Sequence, residues 1–99
     1  MKSDFSFLED LGFDEVHIFE LNNILTDETK NLILMSKDTV IDNIKYLKDL
    51  GISNYQDAFL KFYNMFLMEP SAFDDIFSKY DREDLILKLE KNIAILEHL

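Results

Sequence analysis

Length, composition and charge limit what this chain can be. Its 99 residues are enough for one domain, and a hydrophobic fraction of 47% with nine Phe excludes a disordered chain. The lack of Cys excludes disulfides, a thiolate nucleophile and cysteine-ligated zinc. Without a leader pattern or an apolar run of spanning length, we expect a cytoplasmic protein that does not enter a membrane.

The first two predicted helices are short. Apolar residues at helical spacing predict a helix over about residues 4–11, capped by Ser3 or Asp4, with Phe5, Leu8 and Leu11 on one face. Asp14 is placed to cap the next helix, whose inward residues would be Ile18, Leu21 and Leu25. Residues 15–21 also contain β-branched and aromatic residues, so a short strand remains an alternative there.

Two further helices follow without long loops. Thr26 and Asp27 can cap a helix that ends near Met35, with Leu32 to Met35 as a buried apolar run. Ser36 is the expected cap of a helix over about residues 37–50. Its apolar stripe consists of Val40, Ile41, Ile44, Leu47 and Leu50.

The last third is rich in aromatic residues. Ser53 and Gln56 have the spacing of a capping box, which predicts a helix from about residue 55 to Met68, ended by Pro70. Ser71 would cap a short helix with Phe73, Phe77 and Tyr80 directed inward. Asp81 would start a final helix that runs to the terminus, with a stripe of Leu85, Leu89, Ile93 and Leu96.

One pattern occurs twice. The segments ending in Leu11-Gly12 and Leu50-Gly51 both read Leu-x-x-Leu-Gly followed by an apolar residue, and their glycines lie 39 residues apart. We therefore predict an all-α fold of six or seven short helices in a single domain, residues 1–99. It would contain unit 1 (about 3–35), unit 2 (about 36–80) and a terminal helix (about 81–99) that forms a half-unit.

The segment 35–52, Met-Ser-Lys-Asp-Thr-Val-Ile-Asp-Asn-Ile-Lys-Tyr-Leu-Lys-Asp-Leu-Gly-Ile, resembles a repeat junction of the mTERF-type (mitochondrial transcription termination factor) helical repeats. The resemblance implies a helical-repeat architecture and a nucleic-acid-binding function on a basic concave face. In this chain that face would have to come from Lys37, Lys45, Lys48 and Lys61.

Charge favours a different function. The net charge is −10, and residues 1–29 alone contain eight acidic residues against one Lys. Such a segment repels phosphate backbones and attracts basic protein surfaces. The leading hypothesis is therefore a non-catalytic module that binds a basic protein, or regulates a nucleic-acid-binding protein by charge mimicry, through Glu9, Asp10, Asp14, Glu15 and Glu20.

Other candidate sites are weaker in the sequence. Aromatic residues at helical spacing predict core first, and a partner groove or homodimer seam second: Tyr55, Phe59, Phe62, Tyr63 and Phe66. His17 and His98 lack a second ligand at metal spacing, so we expect ordinary helix residues and no metal site. No hydrolase or acid–base pattern is present, and we expect neither a cofactor nor enzymatic activity.

Overall fold

A computed structural model describes residues 5–99, and every regular element in this range is a helix. The α-helices are α1 (Phe7–Asp10), α2 (Glu15–Ile24), α3 (Asp27–Met35), α4 (Lys37–Leu50), α5 (Tyr55–Phe62), α6 (Pro70–Ser78) and α7 (Arg82–Lys91). A first 3-10 helix (Tyr63–Leu67) follows α5, and a second (Ile93–His98) follows α7. The all-α prediction is confirmed, and residues 15–21 are helical. The proposed caps Ser3 and Asp4 lie outside the described residues.

The two glycine turns have the same backbone geometry. Gly12 and Gly51 have φ angles of 94° and 105°, which L-residues with a Cβ rarely adopt. Both turns contain the paired hydrogen bonds of a Schellman motif, with N–H to O distances of 3.0–3.1 Å: Phe13 to Leu8, Gly12 to Glu9, Ile52 to Leu47 and Gly51 to Lys48. The helices before the turns differ, since α1 has 4 residues and α4 has 14.

Side chains from later helices bind the carbonyls at both turns. Lys48 Nζ and the Tyr55 hydroxyl donate to Leu11 O at 2.6 and 3.2 Å, and Arg82 Nε donates to Leu50 O at 2.8 Å. A cation beside the carbonyl end of a helix is favourable because that end carries partial negative charge. These bonds fasten the first turn to α4 and α5, and the second turn to α7.

Three of the predicted N-caps are confirmed by side-chain hydrogen bonds. Asp14 Oδ1 accepts from His17 N–H at 2.9 Å, Thr26 Oγ1 from Thr29 N–H at 3.2 Å, and Asp81 Oδ2 from Asp84 N–H at 3.1 Å. The predicted capping box is wrong. The Ser53 hydroxyl donates to Glu90 Oε1 at 3.4 Å, and Gln56 Oε1 accepts from Asp14 N–H at 2.9 Å. Asn54 precedes α5 without a side-chain cap, and its Nδ2 donates to Leu89 O at 3.0 Å.

The helix predicted from residue 55 to Met68 is divided. Phe62 leaves the helical conformation (φ −130°, ψ 41°) and the chain continues as the first 3-10 helix. Before Pro70 the chain is extended, with ψ angles of 160° at Met68 and 139° at Glu69. Asn43, 1% exposed on α4, donates from Nδ2 to Phe66 O and Met68 O at 2.9 Å each.

One predicted cap bond and two other helix boundaries differ from the prediction. Ser36 lies between α3 and α4 as predicted, but its side chain forms no cap bond. Helix α6 begins at Pro70 and not after Ser71, because a first helical residue needs no N–H. The final helix ends at Lys91, where Asn92 is extended and its Oδ1 accepts from Ala94 N–H at 3.1 Å.

Most of the predicted inward residues are buried, three are half-buried (Leu34, Ile41 and Leu50), and three are exposed. Leu32 and Met35 are 50% and 85% exposed, and Tyr80 is 41% exposed. The core is built on a chain of ring contacts with centroids 4.8–5.9 Å apart, which runs through Phe13, Phe59, Phe66, Phe73 and Phe77. This chain joins the segment after α1 to α5, the first 3-10 helix and α6.

Candidate interaction surface on α1 and α2

The N-terminal end of α2 is bound to α5 by three polar side chains. His17 Nδ1 lies 2.7 Å from Asp14 Oδ1, and His17 Nε2 lies 2.9 Å from Asp57 Oδ1 on α5. The backbone N–H of Asp14 also donates to Oε1 of Gln56, which lies on α5. Both ring nitrogens of His17 can donate only when the imidazole is protonated, so the arrangement is that of a cation between two carboxylates. Neither nitrogen is then available as a general base.

The pKa values of this cluster follow from its geometry. Partial burial lowers the pKa of His17, but the hydrogen bonds to Asp14 and Asp57 outweigh it, so the pKa lies above the usual 6.5. The backbone N–H of His17, followed by its ring, lowers the pKa of Asp14 below the usual 3.8. Both shifts favour the charged pair in the folded protein.

This cluster predicts a pH dependence of stability. Because the folded-state pKa of His17 is raised, its stabilisation is complete below pH 6.5 and is lost as the pH rises through the higher folded value. The contribution of Asp14 is present above pH 3.8 and is lost as the pH falls through its lowered value. In urea unfolding at a series of pH values, wild type should lose less than about 1 kcal/mol between pH 6 and 8, since the ring is partly exposed.

In the variant His17→Gln, the free energy of unfolding should not fall between pH 6 and 8, whereas the matched control His98→Gln should show the same fall as wild type. An unchanged pH profile in His17→Gln would contradict the assignment of the charged pair.

The structure separates the five predicted partner-binding carboxylates into two groups. Asp14 is exposed, but it caps α2 and binds His17, so its carboxylate already has partners within the protein. The other four, Glu9, Asp10, Glu15 and Glu20, are exposed as well. Within residues 5–99 none of these four forms an ion pair. They lie on α1 and on the first six residues of α2, and residues 7–20 contain no Lys or Arg.

The outer face of α2 also carries apolar side chains that sequence reasoning did not assign to a site. Val16, Phe19 and Ile24 are 64%, 68% and 57% exposed. The sequence spacing indicates this outer face, since Val16 and Phe19 are three residues apart and lie opposite the inward positions Ile18 and Leu21. The spacing was not decisive because the same residues also fit a strand.

The predicted aromatic seam is mostly internal. Phe59 and Phe66 are fully buried, and Tyr55, Phe62 and Tyr63 are half-buried, in agreement with the core interpretation. Phe62 lines an open groove of about 590 Å³. The other side chains of this groove are Lys61, Asn64, Met65, Met68, Ile76, Leu96, Glu97 and Leu99.

The four lysines of the alternative basic face lie in different surroundings. Lys37 and Lys45 line a hollow of about 320 Å³ that also contains Asp10. Lys48 is bound to Leu11 O, and Lys61 lines the groove beside Phe62.

Among residues 5–99, no three His, Asp or Glu side chains lie close enough to hold a metal ion together. No helix in the described part of the chain has both the length and the apolar character needed to cross a bilayer. No family model, curated protein or solved structure matches the chain. The likeness to mTERF-type repeats therefore stays a prediction.

Proposed function

We propose that this protein is a non-catalytic interaction module that binds a basic surface of another protein through Glu9, Asp10, Glu15 and Glu20. One observation supports this most directly. These four carboxylates are exposed, and among the described residues they have no ion-pair partners. Unpaired charges of one sign on a short segment attract a partner of opposite charge and accelerate its association.

The anchoring of this segment supports the same function. Leu11 O is bound by Lys48 and Tyr55, and α2 is bound to α5 through Asp14 and His17. The carboxylates are thus presented on a fixed scaffold, so binding a partner requires little ordering of the backbone. A regulator of a nucleic-acid-binding protein is the concrete form we favour, since its carboxylates would occupy the basic surface that otherwise contacts phosphates.

The alternative, a nucleic-acid-binding repeat protein, has less support. It requires Lys37, Lys45, Lys48 and Lys61 to act on one surface. Lys48 is engaged with a backbone carbonyl, and Asp10 shares the hollow of Lys37 and Lys45. The net charge of −10 opposes this function as well.

Neutralising the four carboxylates should weaken partner capture. The test compares wild type with a variant containing Glu9→Gln, Asp10→Asn, Glu15→Gln and Glu20→Gln, each used as bait in a lysate at rising salt. Because each exposed ion pair contributes about 0.2–1 kcal/mol, the four contribute about 0.8–4 kcal/mol, and capture of basic proteins should fall at least about fourfold.

The matched control removes the same charge elsewhere, at four other exposed acidic residues: Asp42→Asn, Asp49→Asn, Asp75→Asn and Glu83→Gln. It should retain the partners. Partners that are insensitive to salt, or that are lost equally from both variants, would contradict the proposal.

A further inference from the structure

We infer that the outer face of α2 docks an amphipathic basic helix of the partner protein. Val16, Phe19 and Ile24 would contact its apolar stripe, and Glu15 and Glu20 would pair with Lys or Arg beside that stripe. This inference rests on the proposed function and specifies the chemistry of the partner.

Exposed apolar side chains are concentrated on α2 and α3. Of the seven large hydrophobic side chains exposed in the described residues, five lie on α2 and α3. Single exposed apolar residues are ordinary on a protein surface, whereas a concentration of them marks interaction sites. Three of the five belong to α2, which has only 10 residues.

Helix geometry places these side chains along one side of α2. Val16 and Phe19 are three residues apart and are neighbours on the helix surface. Ile24 lies about two turns beyond Val16 and about 80° around the helix from it, with Glu20 four residues from each. Glu15 is likewise a neighbour of Phe19. A helix of 10 residues is about 15 Å long, which matches roughly three turns of a partner helix.

The negative charge of this region determines which kind of partner can bind the outer face of α2. Residues 5–29 contain seven acidic residues and no Lys or Arg. A second copy packed by twofold symmetry would bring Glu15 and Glu20 of both chains together, and such repulsion is unfavourable. A helix with Lys or Arg beside apolar residues complements both features of the surface.

The test uses a defined probe, a fluorescein-labelled 14-residue peptide of Leu and Lys arranged as an amphipathic helix. A second peptide has the same composition in a scrambled order without an apolar face. Fluorescence anisotropy should give at least about tenfold tighter binding of the amphipathic peptide. The double variant Val16→Ser/Phe19→Ser should weaken this binding about tenfold, and the control Leu87→Ser, which changes an exposed apolar residue on α7, should leave it unchanged.

The outcomes separate this inference from the proposed function. The two peptides could bind equally, with binding lost when the four carboxylates are neutralised but not in Val16→Ser/Phe19→Ser. This result would support the proposed acidic interaction module but overturn the docking of a helix on α2. Peptide binding that is unchanged when the four carboxylates are neutralised would contradict both the docking face and the proposed function. Sedimentation velocity showing a wild-type dimer that Val16→Ser/Phe19→Ser dissociates would also overturn the inference, because the occupant would then be a second copy.

Discussion

Replacing Phe66 with alanine is expected to lower the free energy of unfolding by about 4 kcal/mol. Phe66 is fully buried, and its ring lies between those of Phe59 and Phe73, with centroids 5.2 and 5.3 Å away. Its removal opens a cavity in the middle of the ring chain, and the rings of Phe59 and Phe73 lose their contacts with it. A loss of this size is a large fraction of the roughly 5–15 kcal/mol that stabilises a typical domain.

Urea unfolding followed by circular dichroism measures this effect. The matched control is Phe19→Ala, which removes the same side chain from a position 68% exposed and should cost less than about 0.5 kcal/mol. Similar losses in the two variants would show that Phe66 is not at the centre of the core.

The substitution Asn43→Asp is expected to cost about 3–5 kcal/mol near neutral pH, although it hardly changes the volume of the side chain. Asn43 Nδ2 donates to Phe66 O and Met68 O, and a carboxylate can donate to neither. The variant would place a buried negative charge against two carbonyl oxygens and leave both without a donor.

The pH dependence of this variant provides a second readout. Burial beside two carbonyl groups should raise the pKa of the introduced carboxyl group in the folded protein. The unfolded chain then ionises first, so the cost should grow as the pH rises above about 4. The control Asn31→Asp makes the same change on the exposed side of α3 and should cost less than about 0.5 kcal/mol. Equal stability of wild type and Asn43→Asp at all pH values would contradict the role of the amide.

Local signals in the sequence identified most helix starts and stops. Asp14, Thr26 and Asp81 form the expected cap bonds, because a cap requires only the side chain of one residue and the backbone two or three residues later. Gly12 and Gly51 form the expected turns for the same local reason. The capping box failed because Gln56 has a long-range partner, the backbone of Asp14, 42 residues earlier in the chain.

The candidate site was identified in part. All five selected carboxylates are exposed, which the charge pattern could indicate, but charge alone could not separate Asp14, which binds His17, from the other four. That distinction depends on His17 being held between Asp14 and Asp57, which lies 40 residues further along the chain. The outer face of α2 was missed because Val16 and Phe19 also fit a short strand, so the sequence did not define which side of this segment faces solvent.

By itself, the amino-acid sequence determined most helix caps, where the glycine turns lie and that the first third is acidic, because these properties depend on residues close together or on composition. Only the tertiary structure decided that residues 15–21 are helical, which helix ends are bound by Lys48 and Arg82, where the helix after Tyr55 gives way to a 3-10 helix, and which apolar residues remain at the surface. These features depend on contacts between residues far apart in the chain, such as a carbonyl released at a helix end and its side-chain donor, and the spacing of residues along one helix does not specify such contacts.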